Sequence, residues 1–194
     1  ARTLAHERTL FSELQHRVAN NLAFVSALFG LQKRKLAGNP AALAAFEDAR
    51  VRLDTIGRLH RRLYDPANAD LPFEAVVREL LRDMLGTAGR PDIRVEVECA
   101  RMPLSISKTM SLSLFVLEAA TNSLKHAFRD RAGGLLRVSL QPAGEGRARL
   151  VVADDGPGWP QGHSVDTGSG LGLRILKSFA ASSHVRLSFE NHAG

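Results

Sequence analysis

The chain reads as an α+β protein: an N-terminal antiparallel helical hairpin followed by a separate α/β sandwich. Three observations predict this. Apolar residues recur with 3-4 spacing through the first third of the chain, whereas stretches such as 93–98 and 147–154 alternate with a period of two. Between the two patterns lies "DPANADLP" (65–72), with two prolines and no apolar periodicity. The predicted boundaries are 1–66 for the hairpin and 71–194 for the sandwich.

In the first helix, Leu4, Phe11, Leu14, Val18, Asn21, Val25 and Leu28 form a heptad seam. Gly38, Asn39 and Pro40 end it. A second helix is predicted over about 41–64, with Phe46, Ala49, Leu53, Ile56 and Leu63 on one stripe. Two long helices joined by a short turn make an antiparallel pair that leaves one apolar face wet. Two such hairpins from two copies would close a four-helix bundle, so a homodimer is expected.

Beyond the linker, residues 73–86 are predicted helical, 93–98 a strand and 106–128 a long helix. "LLRVSLQ" and "RARLVVAD" read as two strands joined by the turn "PAGEG". A helix over 171–182 and a strand over 184–190 complete the pattern, and a mostly antiparallel sheet is expected.

Composition excludes several function classes. The net charge of +6 comes from Lys and Arg spread along the chain, with only 6% aromatics, which argues against nucleic acid. The single cysteine, Cys99, lies in a strand pattern and is expected to be a core thiol. The seven histidines lack metal-ligand spacing, no stretch is apolar enough to span a membrane, and no signal peptide is evident. A cytoplasmic chain is expected. Because it does not begin with Met, it is read as the cytoplasmic part of a longer sensor protein.

Chemistry concentrates in two stretches. In "LEAATNSLKHAF", Leu114, Leu117, Thr121, Leu124 and Phe128 share one helix face, while Glu118, Asn122 and His126 fall at i, i+4 and i+8 on another, with Lys125 beside them. Downstream, a strand ends at Asp154, Gly156 and Gly158 form a Gly-Pro-Gly turn, and Gly168, Gly170 and Gly172 open a helix. Glycines let a backbone approach a ligand closely, and a helix N-terminus offers N–H groups to phosphate. A buried carboxylate at Asp154 can accept a hydrogen bond from an adenine amino group. Asn122 offers an oxygen to Mg²⁺, and Glu118 can orient a water on the metal.

"EAATNSLKHAF", "DDGPGW" and "GSGLGL" resemble the N-box and the two glycine boxes of the GHKL ATPases, the superfamily that includes gyrase and the sensor histidine kinases. "HRVANNL" resembles the H-box of a histidine kinase subgroup with the pattern His-Arg-x-x-Asn-Asn, in which Ala19 replaces a usual Lys. The resemblance covers roughly residues 11–36 and 73–190. It implies a dimerisation and phosphoacceptor hairpin joined to a GHKL-type ATP-binding domain. By position it assigns the phosphoacceptor to His16, Mg²⁺ to Asn122 and adenine recognition to Asp154. Lys125, His126, Gly156, Gly158, Gly168, Gly170, Leu171 and Gly172 fall among the nucleotide-binding residues and the short lid. It also implies a response-regulator receiver domain as partner. The chain stops at "ENHAG", before the last strand the family would have.

The heptad places His16 at f, the outermost position, rather than in the seam. Imidazole with a reference pKa near 6.5 is about 90% neutral at pH 7.5, so one ring nitrogen has a lone pair ready to attack phosphorus. Glu13, one turn back, is the expected holder of the other ring nitrogen. The expectation is thus an ATP- and Mg²⁺-dependent protein histidine kinase of a two-component system. The competing readings are a phosphotransfer module with a degenerate ATP domain, a serine kinase that switches an anti-sigma partner, and a plain helical dimerisation protein.

Overall fold

The computed structural model describes residues 2–32, 38–68, 70–158, 186, 188, 190 and 191, with only the backbone for residues 2–12, 16, 29, 32 and 66. The chain divides into two compact units, Ala1–Asp70 and Leu71–Gly194.

The first unit is a helical hairpin of α1 (Arg2–Gln32) and α2 (Pro40–Leu63). Asn39 and Pro40 do more than break a helix. The Asn39 side chain accepts the Ala42 N–H at 3.0 Å as the N-cap of α2, and Pro40 takes a first-turn position where a missing N–H costs nothing. On α1 the side facing α2 carries Ala19 and Ser26, both buried, and the Ser26 hydroxyl donates to Asp54 at 2.5 Å. The heptad seam faces elsewhere: Leu14, Val18, Val25 and Leu28 are exposed in the single chain, Leu14 at 56%. At 100° per residue, position 16 on the α1 backbone lies about 180° around the helix from Val25.

Among the described residues, the second unit packs two helices on one face of a three-stranded sheet. Its elements are α3 (Phe73–Thr87), β1 (Ile93–Cys99), α4 (Ile106–Asn122), β2 (Gly134–Pro142) and β3 (Ala148–Asp154), with strand order β1-β2-β3. The core joins Phe73, Val77, Leu81 and Leu85 of α3 and Val116 and Ala120 of α4 to Ile93, Val97, Leu136, Val138 and Leu140. Period-two alternation places these strand residues on the covered face. The opposite face carries charged residues, with Arg137 paired to Glu96 at 2.9 Å.

Among the described strands, β2 pairs antiparallel with β3 and parallel with β1. The intervening α4 forms a crossover, which returns the chain in the same direction. One expectation needs correction: 106–128 is not one α-helix. It is α-helical to Asn122, then widens into a π-helical turn over Ser123–Ala127, where the Phe128 N–H donates to the Ser123 carbonyl at 2.9 Å. Cys99 is half-buried at the end of β1, and burial pushes its thiol up. The expected helix over 171–182 lies outside the described residues, as does most of the strand over 184–190.

Candidate nucleotide and phosphoacceptor sites

Ser105 caps the start of α4, its hydroxyl accepting the Lys108 N–H at 3.3 Å, and the helix packs beside α3 on the covered face of the sheet and ends at the candidate site. Glu118, on the face it shares by helical spacing with Asn122, is only 3% exposed. Asn122 follows one turn later, half-buried, and makes no capping hydrogen bond with its side chain. The π-turn then adds a residue to the helical repeat. His126 therefore loses the i+8 phase with Glu118 and lies exposed, while Lys125 is half-buried.

The widened turn meets the end of β3. The Ser123 hydroxyl donates to Asp154 Oδ2 at 2.6 Å, and the Gly156 N–H donates to Asp154 Oδ1 at 3.0 Å. Asp154 is exposed, not buried as expected, because it is the last residue of β3 and stands at the rim of the sheet. Gly156 abuts the turn so closely that a Cβ there would lie 2.4 Å from Ala127 Cβ and 2.8 Å from Asp154 Oδ1. Gly158 takes a left-handed φ of 73°. Trp159, Gly168, Gly170, Leu171 and Gly172 lie outside the described residues.

The adjacent carboxylates of "DDG" do different work. Asp155 is tied internally: it accepts the Leu135 N–H at 2.9 Å and pairs with Arg131 at 3.2 Å. The Leu135 N–H, assisted by Arg131, holds its carboxyl below the usual range. Asp155 thus ties the strand end, whereas Asp154 presents its carboxylate at the rim.

A second tether was not foreseen. Arg90 donates to the carbonyls of Phe128 (2.7 Å) and Arg131 (2.9 Å) and grips Asp92 (2.9 Å), and Asp92 accepts the Gly133 N–H at 2.7 Å. The segment after the π-turn is thereby fixed from 41 residues away in sequence. The Arg90 guanidinium, with the Gly133 N–H, holds the Asp92 carboxyl well below the ordinary carboxylate range. A depressed folded pKa stabilises the fold above the unfolded value of 3.8 and loses that contribution as pH falls through the folded value. An Asp92→Asn variant is therefore expected to melt several degrees below wild type at pH 7. The gap should narrow as pH falls below about 4. Calorimetric melting from pH 7 to pH 3 checks this, and a gap constant with pH would refute it.

On the hairpin, the backbone places residue 16 in the middle of α1, while the His16 side chain lies outside the described residues. Glu13 is exposed and accepts from Arg17 at 2.7 Å through Oε1. Ser123, Arg90 and Asp92 escaped the sequence reading. Ser123 directly follows Asn122, but its reach to Asp154 depends on the π-turn.

Comparison with known proteins agrees with the resemblance read from the motifs. A family model described as histidine kinase matches residues 13–88, and one described as histidine kinase-like ATPase domain matches residues 78–192. The sensor histidine kinase PdtaS of Mycobacterium tuberculosis is 30% identical over 183 residues, covering 93% of this chain and 36% of that protein. Blue-light-activated histidine kinase 2 of Erythrobacter litoralis is 27% identical over 172 residues, covering 86% of this chain and 49% of that protein. The chain thus spans about half or less of the length of these curated relatives. The solved histidine kinase domain of the Erythrobacter litoralis EL346 blue-light activated histidine kinase superposes with a TM-score of 0.59 at 23% identity, covering 93% of this chain and 84% of that one. A second structure of that kinase gives 0.65 at 23% identity over 87% of this chain and 54% of its own. The fold is shared, the ATPase-domain match implies use of ATP, and no described helix is long and apolar enough to cross a membrane. With one family model over the hairpin and another over more than half of the chain, this protein belongs to the histidine kinases.

Proposed function

We propose that the chain is the kinase core of a two-component system in the cytoplasm. It autophosphorylates His16 with Mg-ATP and passes the phosphoryl group to an aspartate of a response-regulator receiver domain. The observation that carries this reading is the junction between the π-turn and the glycine turn. There Asp154 is oriented by two internal donors, and position 156 has no room for a side chain.

The residues present fit a purine nucleotide with Mg²⁺. Asp154 keeps lone pairs for the base amino group. Asn122 offers a carboxamide oxygen to the metal, and Glu118, buried one turn earlier, orients water beside it. Lys125, His126, Gly156 and Gly158 border the phosphates in this reading, joined by Gly168, Gly170, Leu171 and Gly172 of the lid. When bound, the metal neutralises charge on the phosphate oxygens. His16 contributes the nucleophile: one ring nitrogen forms the P–N bond as the bridging P–O bond to ADP breaks. Glu13, whose Oε1 is engaged by Arg17, orients the other ring nitrogen through Oε2. The test is incubation with γ-labelled ATP and Mg²⁺. Label that is lost in acid and kept in alkali is expected. No label, or acid-stable label, would sink the reading.

The exposed stripe of Leu14, Val18, Val25 and Leu28 supports the homodimer. In this reading a second hairpin covers the stripe and completes a four-helix bundle. The double variant Val18→Glu/Val25→Glu would bury unpaired carboxylates there and is expected to weaken association by at least about a hundredfold. Analytical ultracentrifugation reads this as conversion to monomer. A dimer that survived both changes would place the seam elsewhere.

A further inference from the structure

We infer that Ser123 is a positioning residue for base recognition: its hydroxyl, fixed in the π-turn, holds the Asp154 carboxylate in the one orientation that accepts a purine 6-amino group. This rests on the nucleotide site proposed above and adds a residue to it.

Ser123 is buried, at 7% exposure, while Asp154 is exposed at a strand end, where its carboxylate would otherwise turn freely about its side-chain bonds. Two oxygens compete for the single hydroxyl proton: Asp154 Oδ2 at 2.6 Å and the Ala119 carbonyl at 3.2 Å. The shorter contact has the length of a charge-assisted O–H···O⁻ bond and takes the proton. The Gly156 N–H secures the other carboxylate oxygen at 3.0 Å. A carboxylate has about four lone-pair sites, so two remain, and both can only accept. A 6-amino group donates an N–H to one of them, and a 6-oxo group, itself an acceptor, is repelled.

The turn itself makes the contact durable. The Ser123 carbonyl accepts the Phe128 N–H in the i→i+5 pattern, and Phe128 is buried beneath Gly134, where a Cβ would lie 2.5 Å from its ring. Arg90 holds the Phe128 carbonyl at 2.7 Å. Ser123 is therefore fixed through its own backbone and through the residue that closes its turn.

The test compares binding of ATP with that of inosine triphosphate, which carries oxygen in place of the 6-amino group, by titration calorimetry on the full chain. Wild type is expected to prefer ATP. Ser123→Ala is expected to raise the Kd for ATP about tenfold while changing that for inosine triphosphate less than twofold, so the preference collapses. Ser123→Thr, which keeps the hydroxyl, is expected to restore it. Because the effect runs through Asp154, adding Ser123→Ala to Asp154→Asn should cost little more than Asp154→Asn alone. If the alanine variant does not fold, Ser123→Cys makes the same comparison with a weaker donor. Equal losses for both nucleotides would mark a merely structural role and overturn the inference, as would an unchanged Kd for ATP. Wild type that bound neither nucleotide would overturn the proposed function together with it.

Discussion

Substituting glutamine for His16 is expected to abolish the acid-labile, alkali-stable label, a loss of more than about a thousandfold in phosphoryl transfer. Glutamine is chosen to separate chemistry from folding. It is a better helix former than histidine and of similar length, so α1 should persist and the circular dichroism spectrum should be unchanged. What disappears is the ring nitrogen with an uncommitted lone pair, since a carboxamide nitrogen delocalises its electrons into the carbonyl. ATP affinity should stay within about twofold of wild type, because the proposed nucleotide residues belong to the other compact unit. Label persisting at wild-type level would move the acceptor to another residue. Simultaneous loss of ATP binding would show that the substitution had done more than remove a nucleophile.

Replacing Gly156 by alanine is the second large effect: at least a tenfold rise in the Kd for ATP. The reason is space rather than backbone conformation, since Gly156 is not among the glycines with positive φ. The added methyl would lie 2.4 Å from Ala127 Cβ and 2.9 Å from Ala127 Cα, and the latter, as backbone, cannot swing away. The turn must therefore lift off the π-turn or displace the Asp154 carboxylate, which would lie 2.8 Å from the methyl. Either movement disturbs the hydrogen bonds that orient Asp154. Titration calorimetry reads the loss, and the double variant Gly156→Ala/Ala127→Gly should recover part of it by removing the nearest clash. An alanine at Gly86, where an added Cβ meets nothing within 4 Å, serves as the control. Wild-type affinity in Gly156→Ala would mean that the nucleotide does not use this junction.

Much of the fold was legible because its signals are local. Period changes located the hairpin, the linker, and α3, β1, β2 and β3 to within a residue or two, and the stretches that resemble the N-box and first glycine box are the two segments that converge at Asp154. The rest depends on contacts between distant residues. Nothing in 106–128 announces a π-turn, which arises where Phe128 must reach the core beneath Gly134. The parallel pairing of β1 with β2 follows from the crossover, not from either strand's composition. Arg90 and Asp92 look like an ordinary charged turn until Gly133 and the Phe128 carbonyl come beside them. The heptad in α1 was read correctly as an apolar stripe, yet periodicity says only that a stripe exists. The residues facing α2 are instead small or polar, Ala19 and Ser26.

The unequal lives of Asp154 and Asp155 carry a last consequence. Neighbours in sequence, they differ: Asp155 grips the strand end, while in the proposed site Asp154 meets the base. The backbone that bears Asp154 is moored at the very next residue, by Leu135 and Arg131. Selection can therefore rewrite the chemistry at 154 without unfastening the strand, because the mooring at 155 stays in place whichever side chain stands before it.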